Sequence, residues 1–237
     1  MGPIEMDFKF ESYNRDEIKK MYDEFYSTRD FKHFSIAEKY FIKSLVKRNE
    51  IKKGTKIIDL GCGTGKYTHY FTSIGMDAIG VDISEQGIDI ARRRSPASKF
   101  LVGDITNLDF EPGTFGVVFC SGLSFFNEPN LDILVPLVSS FFSLLKRNGF
   151  FIFVKTTSLT NKYSRNKGRL DYSIKSYLDF FKRIEKAAIL NASGTYPHVF
   201  PVLGRMGFLK LITGLSVFCT KVTGIPLRVC IILKYNG

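Results

Sequence analysis

The residues whose types and spacing could do chemistry are gathered in Asp59-Leu60-Gly61-Cys62-Gly63-Thr64-Gly65, where the hydrophobic strand pattern of Ile57 and Ile58 runs into a glycine-rich turn. A helical pattern follows from Lys66. Glycine lets the backbone turn sharply and lets a ligand approach main-chain atoms with no Cβ in the way, so the turn is expected to cradle a ligand. Its spacing is Gly-x-Gly-x-Gly. A dinucleotide pyrophosphate loop reads Gly-x-Gly-x-x-Gly, which disfavours nicotinamide and flavin cofactors. No Gly-x-x-x-x-Gly-Lys-Ser/Thr phosphate loop occurs in the chain.

The string Asp-Leu-Gly-Cys-Gly-Thr-Gly resembles the first motif of class I S-adenosylmethionine-dependent methyltransferases. The resemblance continues in order. Gly80-Val81-Asp82-Ile83-Ser84 is similar to the acidic second motif of that family, and Gly103-Asp104-Ile105 to its adenine-binding motif. Phe115 to Ser124 resembles the fourth strand, and Leu144 to Phe153 the helix end and fifth strand, so the likeness covers about residues 54–154. It implies a three-layer, doubly wound α/β fold around a mostly parallel seven-stranded sheet whose last strand is antiparallel. It also implies S-adenosylmethionine as cofactor and S-adenosylhomocysteine as product. Carried over residue by residue, Gly61, Gly63 and Gly65 would shape the turn beside the methionine part, and Asp59 would help hold its amino group. Asp82 would accept from both ribose hydroxyls, a role that suits a carboxylate with two acceptor oxygens. Ile83 would pack on the adenine face, while Asp104 would accept from the exocyclic amine and Ile105 would add backbone and apolar contact. Cys62, a small residue that fits the turn, and Cys120, at the end of the fourth strand, complete the expected cofactor side.

A sulfonium carries an already activated methyl group, so such an enzyme must chiefly hold a nucleophile in line and exclude water. A general base is optional. For a hydroxyl acceptor the candidates are His198, in the late insertion, and Glu128, after the fourth strand, with His33 behind them. Enzymes that methylate exocyclic amines of bases show Asn/Asp-Pro-Pro-Tyr/Phe after the fourth strand, where this chain has Cys120-Ser121-Gly122-Leu123-Ser124. Cys120 also lacks the Pro-Cys context of carbon-5 cytosine chemistry. Tyr22, Phe25, Phe125 and Phe126 are candidate pocket walls. The four cysteines are scattered, without a Cys-x-x-Cys pair, and there are three histidines, so neither a metal site nor a disulfide framework is expected.

The elements that must position these residues follow from periodicity. Ile18, Met21 and Phe25, then Ile36, Tyr40, Phe41 and Leu45, recur at three-to-four spacing and predict two amphipathic helices, a helical lid over residues 1–50. From Lys56, short apolar runs alternate with helical stretches, as in a parallel sheet covered on both faces, giving a cofactor-binding domain over 51–237. Strands are expected near 56–60, 77–81, 99–102, 115–120 and 149–154, with a helix over 131–147 closed by Lys146, Arg147 and Asn148-Gly149. A helix over 173–183 and strands near 184–190 and 228–234 end the chain, leaving 155–172 and 194–227 as acceptor-side segments. The second of these exceeds an ordinary hairpin loop, and its apolar-plus-basic composition fits a core helix, a lid or a membrane-surface segment.

The net charge of +11 is unevenly placed: residues 151–237 hold 14 Lys and Arg against 3 Asp and Glu, while the remainder is balanced. This asymmetry points to an anionic partner. The first reading is a small-molecule methyltransferase acting on oxygen or nitrogen of a phosphorylated, glycan or lipid-linked acceptor, in peripheral contact with a membrane if the acceptor is a lipid. The second is an RNA methyltransferase using Lys162, Arg165, Lys167 and Arg169 as phosphate contacts. The third is a cofactor-binding regulatory subunit without turnover. Neither a signal peptide nor an apolar run of about 20 residues is visible, so a cytoplasmic protein is expected.

Overall fold

The alternation of side chains along each strand sorts this sequence into two cores, one on either face of a sheet. In the computed structural model, which describes residues 14–28, 36–157, 162–164, 169–195 and 227–237, β1 (Lys56–Leu60) sends Ile57 to one core and Ile58 and Leu60 to the other. The same period of two places Val117 and Phe119 of β4 (Phe115–Ser121) with Ile57, and Val118 and Cys120 with Ile58. Near-continuous apolar strands of this kind are the mark of a sheet buried on both faces.

Together with β2 (Asp77–Asp82), β3 (Lys99–Val102) and β5 (Leu145–Thr157), these strands form a parallel set in the order β3-β2-β1-β4-β5. A two-stranded hairpin of β6 (Lys162–Ser164) and β7 (Arg169–Asp171) stands apart from that sheet. Beyond β5 the sheet continues with β9 (Leu227–Tyr235) and β8 (Ala187–Thr195), β9 running antiparallel to both neighbours. Seven strands in this order form the expected mostly parallel sheet. The strand order reverses between β1 and β4, and the crevice outside the carboxyl ends of strands at such a switch point is where open α/β sheets bind ligands.

Of the helical preface, α2 (Ile36–Arg48) belongs to the core: Ile42 and Leu45 are buried in the cluster that contains Ile57 and α3 (Lys66–Ser73) residue Phe71. The other helix, α1 (Arg15–Ser27), has no fully buried residue. It is capped by Asn14, which accepts from the amides of Asp16 and Glu17, and it packs against α4 (Glu85–Arg94). Met21, expected on its packed face, is 53% exposed; the residues turned towards the domain are Ile18, Tyr22 and Tyr26.

The helix expected over 131–147 ends early. A 3-10 turn at Leu131–Leu134 leads into α5 (Val135–Ser143), and Lys146 and Arg147 lie on β5. The amides of Gly113 and Phe115 donate to the carbonyls of Ser143 and Leu144, so the approach of β4 takes the helix's last acceptors and ends it there. The turn signal at Asn148-Gly149 is real but sits within β5, where Asn148 has φ 64° and the pairing with β4 shifts register. Further on, α6 (Ile174–Phe181) starts on the Ser173 cap as expected. β8 begins three residues later than expected and runs on to Thr195, and most of 194–227 lies outside the described residues. No helix among the described residues is long and apolar enough to cross a membrane.

Candidate active site

The glycine turn is fixed to β2 by two backbone bonds: the amides of Gly61 and Cys62 both donate to the Val81 carbonyl, at 2.9 and 3.0 Å. Asp82, the last residue of β2, closes it from the side. Its Oδ2 accepts from the Gly63 amide at 2.7 Å and its Oδ1 from the Ser84 amide at 2.9 Å. The carboxyl is 6% exposed, and burial raises its pKa while the two amide bonds act against the rise. Beside it opens a cleft bounded by Gly61, Asp82, Ile83, Asp104 and Ile105 on one side and by Ser121 to Phe125 on the other. Ile18, Tyr22 and Tyr26 of α1 form the third wall.

Five expected cofactor residues therefore meet at one cleft. Asp104 is held there with Oδ1 accepting from the Thr106 amide and hydroxyl, while Oδ2 faces Arg15 Nε at 3.6 Å. Asp59, Cys62, Gly63, Gly65 and Cys120 do not line the cleft. Asp59 shares the face of Ile57, so strand parity turns it to α3, where Oδ2 accepts from the Thr68 amide at 3.1 Å and hydroxyl at 2.7 Å. Cys62 packs with Ile88, Ala91 and Phe100 behind the turn, and Cys120 is fully buried among the apolar residues of the opposite core; burial pushes both thiols well up. Glu128 caps the 3-10 turn after β4, and its carbonyl accepts from the Tyr172 hydroxyl; the residue is not a wall of the cleft. His198 and His33 lie outside the described residues, as do Arg165 and Lys167, while Lys162 and Arg169 fall on the β6–β7 hairpin. Of the four aromatic candidates, Tyr22 and Phe125 line the cleft and Phe126 is 1% exposed in the core.

Residues that no motif announced also build the site. Lys155, at the carboxyl end of β5 and 5% exposed, donates to the Leu123 carbonyl at 2.5 Å and so fixes the arch after β4. Leu123 in turn lies over Gly61, where a Cβ would stand 2.4 Å from its Cδ2. A lysine late in a strand reads as a solvent residue, and its partner is a main-chain atom, so nothing in the sequence marks it.

Burial pushes the Asp59 carboxyl from the ordinary 3.8 up to about 7, with the Thr68 hydroxyl and amide acting against it. A carboxyl raised on folding adds stability in full below pH 3.8, and that contribution is lost as pH rises through about 7. Between pH 5 and 8 the wild type should lose about 2–3 kcal/mol relative to Asp59→Asn, at about 1.4 kcal/mol per pH unit over the lower part of the window. Urea unfolding of both proteins at several pH values measures this difference, in which the titration of Asp82 cancels. A gap independent of pH would show that Asp59 stays charged.

Residues 57–149 match the family model for a methyltransferase domain. A demethylmenaquinone methyltransferase of Paenarthrobacter aurescens is 28% identical over 103 residues, 42% of this chain and 41% of that protein, so the match spans about two fifths of the relative's length. Among solved structures, the [4+2]-cyclase SpnF superposes with a TM-score of 0.64 at 13% identity, covering 94% of this chain and 96% of its own. An S-adenosylmethionine-dependent methyltransferase of Methanosarcina mazei does so with 0.57 at 16% identity, covering 80% of this chain and 96% of its own. These two likenesses concern the fold. The matched residues 57–149 form a methyltransferase domain, and the motif order and the sheet order agree with the class I S-adenosylmethionine-dependent methyltransferase family. The cofactor of that family is S-adenosylmethionine, and the cleft fits it: Gly61, at φ 67°, leaves main chain bare, Asp82 and Asp104 supply acceptors, and Ile83 and Ile105 offer apolar surface to a flat base.

Proposed function

We propose that the chain transfers the methyl group of S-adenosylmethionine to an oxygen or nitrogen of a small acceptor with a largely apolar body. One observation carries the reading: a single cleft joins the acidic pair Asp82 and Asp104 to an apolar arch, Leu123 to Phe125, faced by Tyr22. Asp82, with one lone pair on each oxygen turned to a backbone amide, keeps further acceptor capacity for paired ribose hydroxyls. Asp104 accepts from the adenine amine, and Ile83 and Ile105 hold the ring. The cofactor supplies a methyl on positively charged sulfur, so the chain has to align an acceptor lone pair with it and keep water out. Lys155 fixes the arch that performs the alignment. An apolar acceptor is in keeping with the demethylmenaquinone methyltransferase among the relatives.

The test is transfer of labelled methyl from S-adenosylmethionine into cell extract separated into metabolite, lipid, RNA and protein fractions, with Asp82→Ala as control. Label in metabolites or lipids supports the reading. Label confined to RNA replaces it with the nucleic-acid reading and turns attention to Lys162 and Arg169, and cofactor binding without label in any fraction replaces it with a regulatory one.

A further inference from the structure

The contacts of α1 fall on the cofactor side of the cleft with unusual consistency. Tyr26 is wedged across two glycines. Its hydroxyl lies 2.6 Å from where a Cβ on Gly63 would stand, and its ring Cδ2 lies 2.9 Å from the corresponding point at Gly87, so either side chain would displace it. Tyr22 stacks on it with ring centroids 6.0 Å apart at 24°. Between them Asp23 accepts from the Ser84 hydroxyl at 2.5 Å and the Gln86 amide at 3.1 Å, and Ser84 is the residue whose amide holds Asp82. Lys19 pairs with Glu85 at 2.6 Å, and Arg15 faces Asp104. A helix with no fully buried residue gains little from core packing, yet its polar contacts with the domain reach the residues that carry Asp82 and Asp104.

We infer that α1 is part of the cofactor site: Tyr26, backed by Tyr22, is a wall against the charged sulfonium and methionine part of S-adenosylmethionine, and Asp23 is the positioning residue that seats it. The inference rests on the cofactor reading above. Tyrosine faces attract cations, and S-adenosylhomocysteine has the same adenosine and amino-acid parts without the positive charge, so the two ligands separate the cation contact from the rest. α1 docking and Asp82 orientation also share the Ser84 turn, which makes ligand binding and helix docking mutually stabilising.

Isothermal titration of S-adenosylmethionine and S-adenosylhomocysteine into wild type, Tyr26→Ala and Tyr26→Phe tests this directly. Tyr26→Ala should weaken S-adenosylmethionine roughly tenfold and S-adenosylhomocysteine clearly less. Tyr26→Phe, which keeps the ring, should keep the wild-type ratio of the two affinities. In the wild type, amide exchange across residues 15–27 should slow when either ligand is added, a readout that needs no variant. Asp23→Ala should reduce that protection and weaken both ligands alike. Unchanged affinities in Tyr26→Ala, equal losses for the two ligands, or exchange in α1 indifferent to ligand would each overturn the inference. Tighter binding by Tyr26→Ala would overturn it in favour of a helix that competes with the cofactor. A wild type that binds neither ligand would sink the cofactor reading itself, an outcome distinct from all of these.

Discussion

Asp82→Ala should abolish measurable cofactor binding, raising Kd for S-adenosylmethionine at least about 100-fold, or about 2.7 kcal/mol. The carboxylate does two things at once. It accepts from the amides of Gly63 and Ser84, which sets the shape of the glycine turn, and it presents its remaining lone pairs to the cleft. Hydrogen bonds to a charged acceptor are worth about 1.5–3 kcal/mol each, so losing them loosens the turn in addition to removing the acceptor proposed for the ribose. Asp82→Asn should fare nearly as badly, because an amide offers one acceptor and would direct donor hydrogens at a backbone N–H. The apo fold should survive both changes, since burial already makes the charged form of Asp82 costly and either variant removes that cost. Titration calorimetry with apo thermal melts as control checks the pair. Binding by Asp82→Asn within threefold of wild type would show that ribose recognition lies elsewhere.

The same residue shows where the sequence was informative. Asp82 and the glycine turn were legible because a strand, a turn and a helix in fixed order leave a local mark, and β1 and β4 were legible because burial on both faces leaves runs of Val, Ile and Phe. Features that depend on distant partners were not. Lys155 meets a carbonyl 32 residues away, and Tyr26 packs directly on Gly63 and Gly87, with Gly87 hidden inside an ordinary helical pattern. On α1 the hydrophobic spacing picked Met21, whereas the structure turns amphipathic tyrosines to the domain, a choice that apolar periodicity cannot make. Two placements away from the cleft follow from strand parity alone. Counting by twos from Ile57 puts Asp59 on the α3 face, and counting by twos from Val118 puts Cys120 inside the opposite core.

Gly65→Ala should cost about 2–5 kcal/mol of stability, the sum of a left-handed backbone penalty of about 1–2 and an overpacking term of about 1–3. The sequence reading put all three glycines beside the cofactor, but the structure gives them different neighbours. Gly65 has φ 75° and caps α3, and a Cβ there would stand 2.6 Å from Phe100 Cε1 and Cζ and 2.7 Å from Ala91 Cβ. Neither neighbour yields easily: Ala91 is fully buried in α4 and Phe100 is 6% exposed in β3. Relief would require α4 and β3 to move away from the turn, and α4 starts three residues after Asp82 in the sequence. Gly54 provides the control, since its φ is 77° and a Cβ there meets nothing within 4 Å. Gly54→Ala should therefore show the backbone cost alone, and the difference between the two variants isolates the packing. Urea unfolding of both measures that difference without any ligand. Equal losses would mean that α4 and β3 accommodate the methyl group freely; a larger loss at Gly65 would identify this glycine as the residue that lets three elements meet behind the cleft.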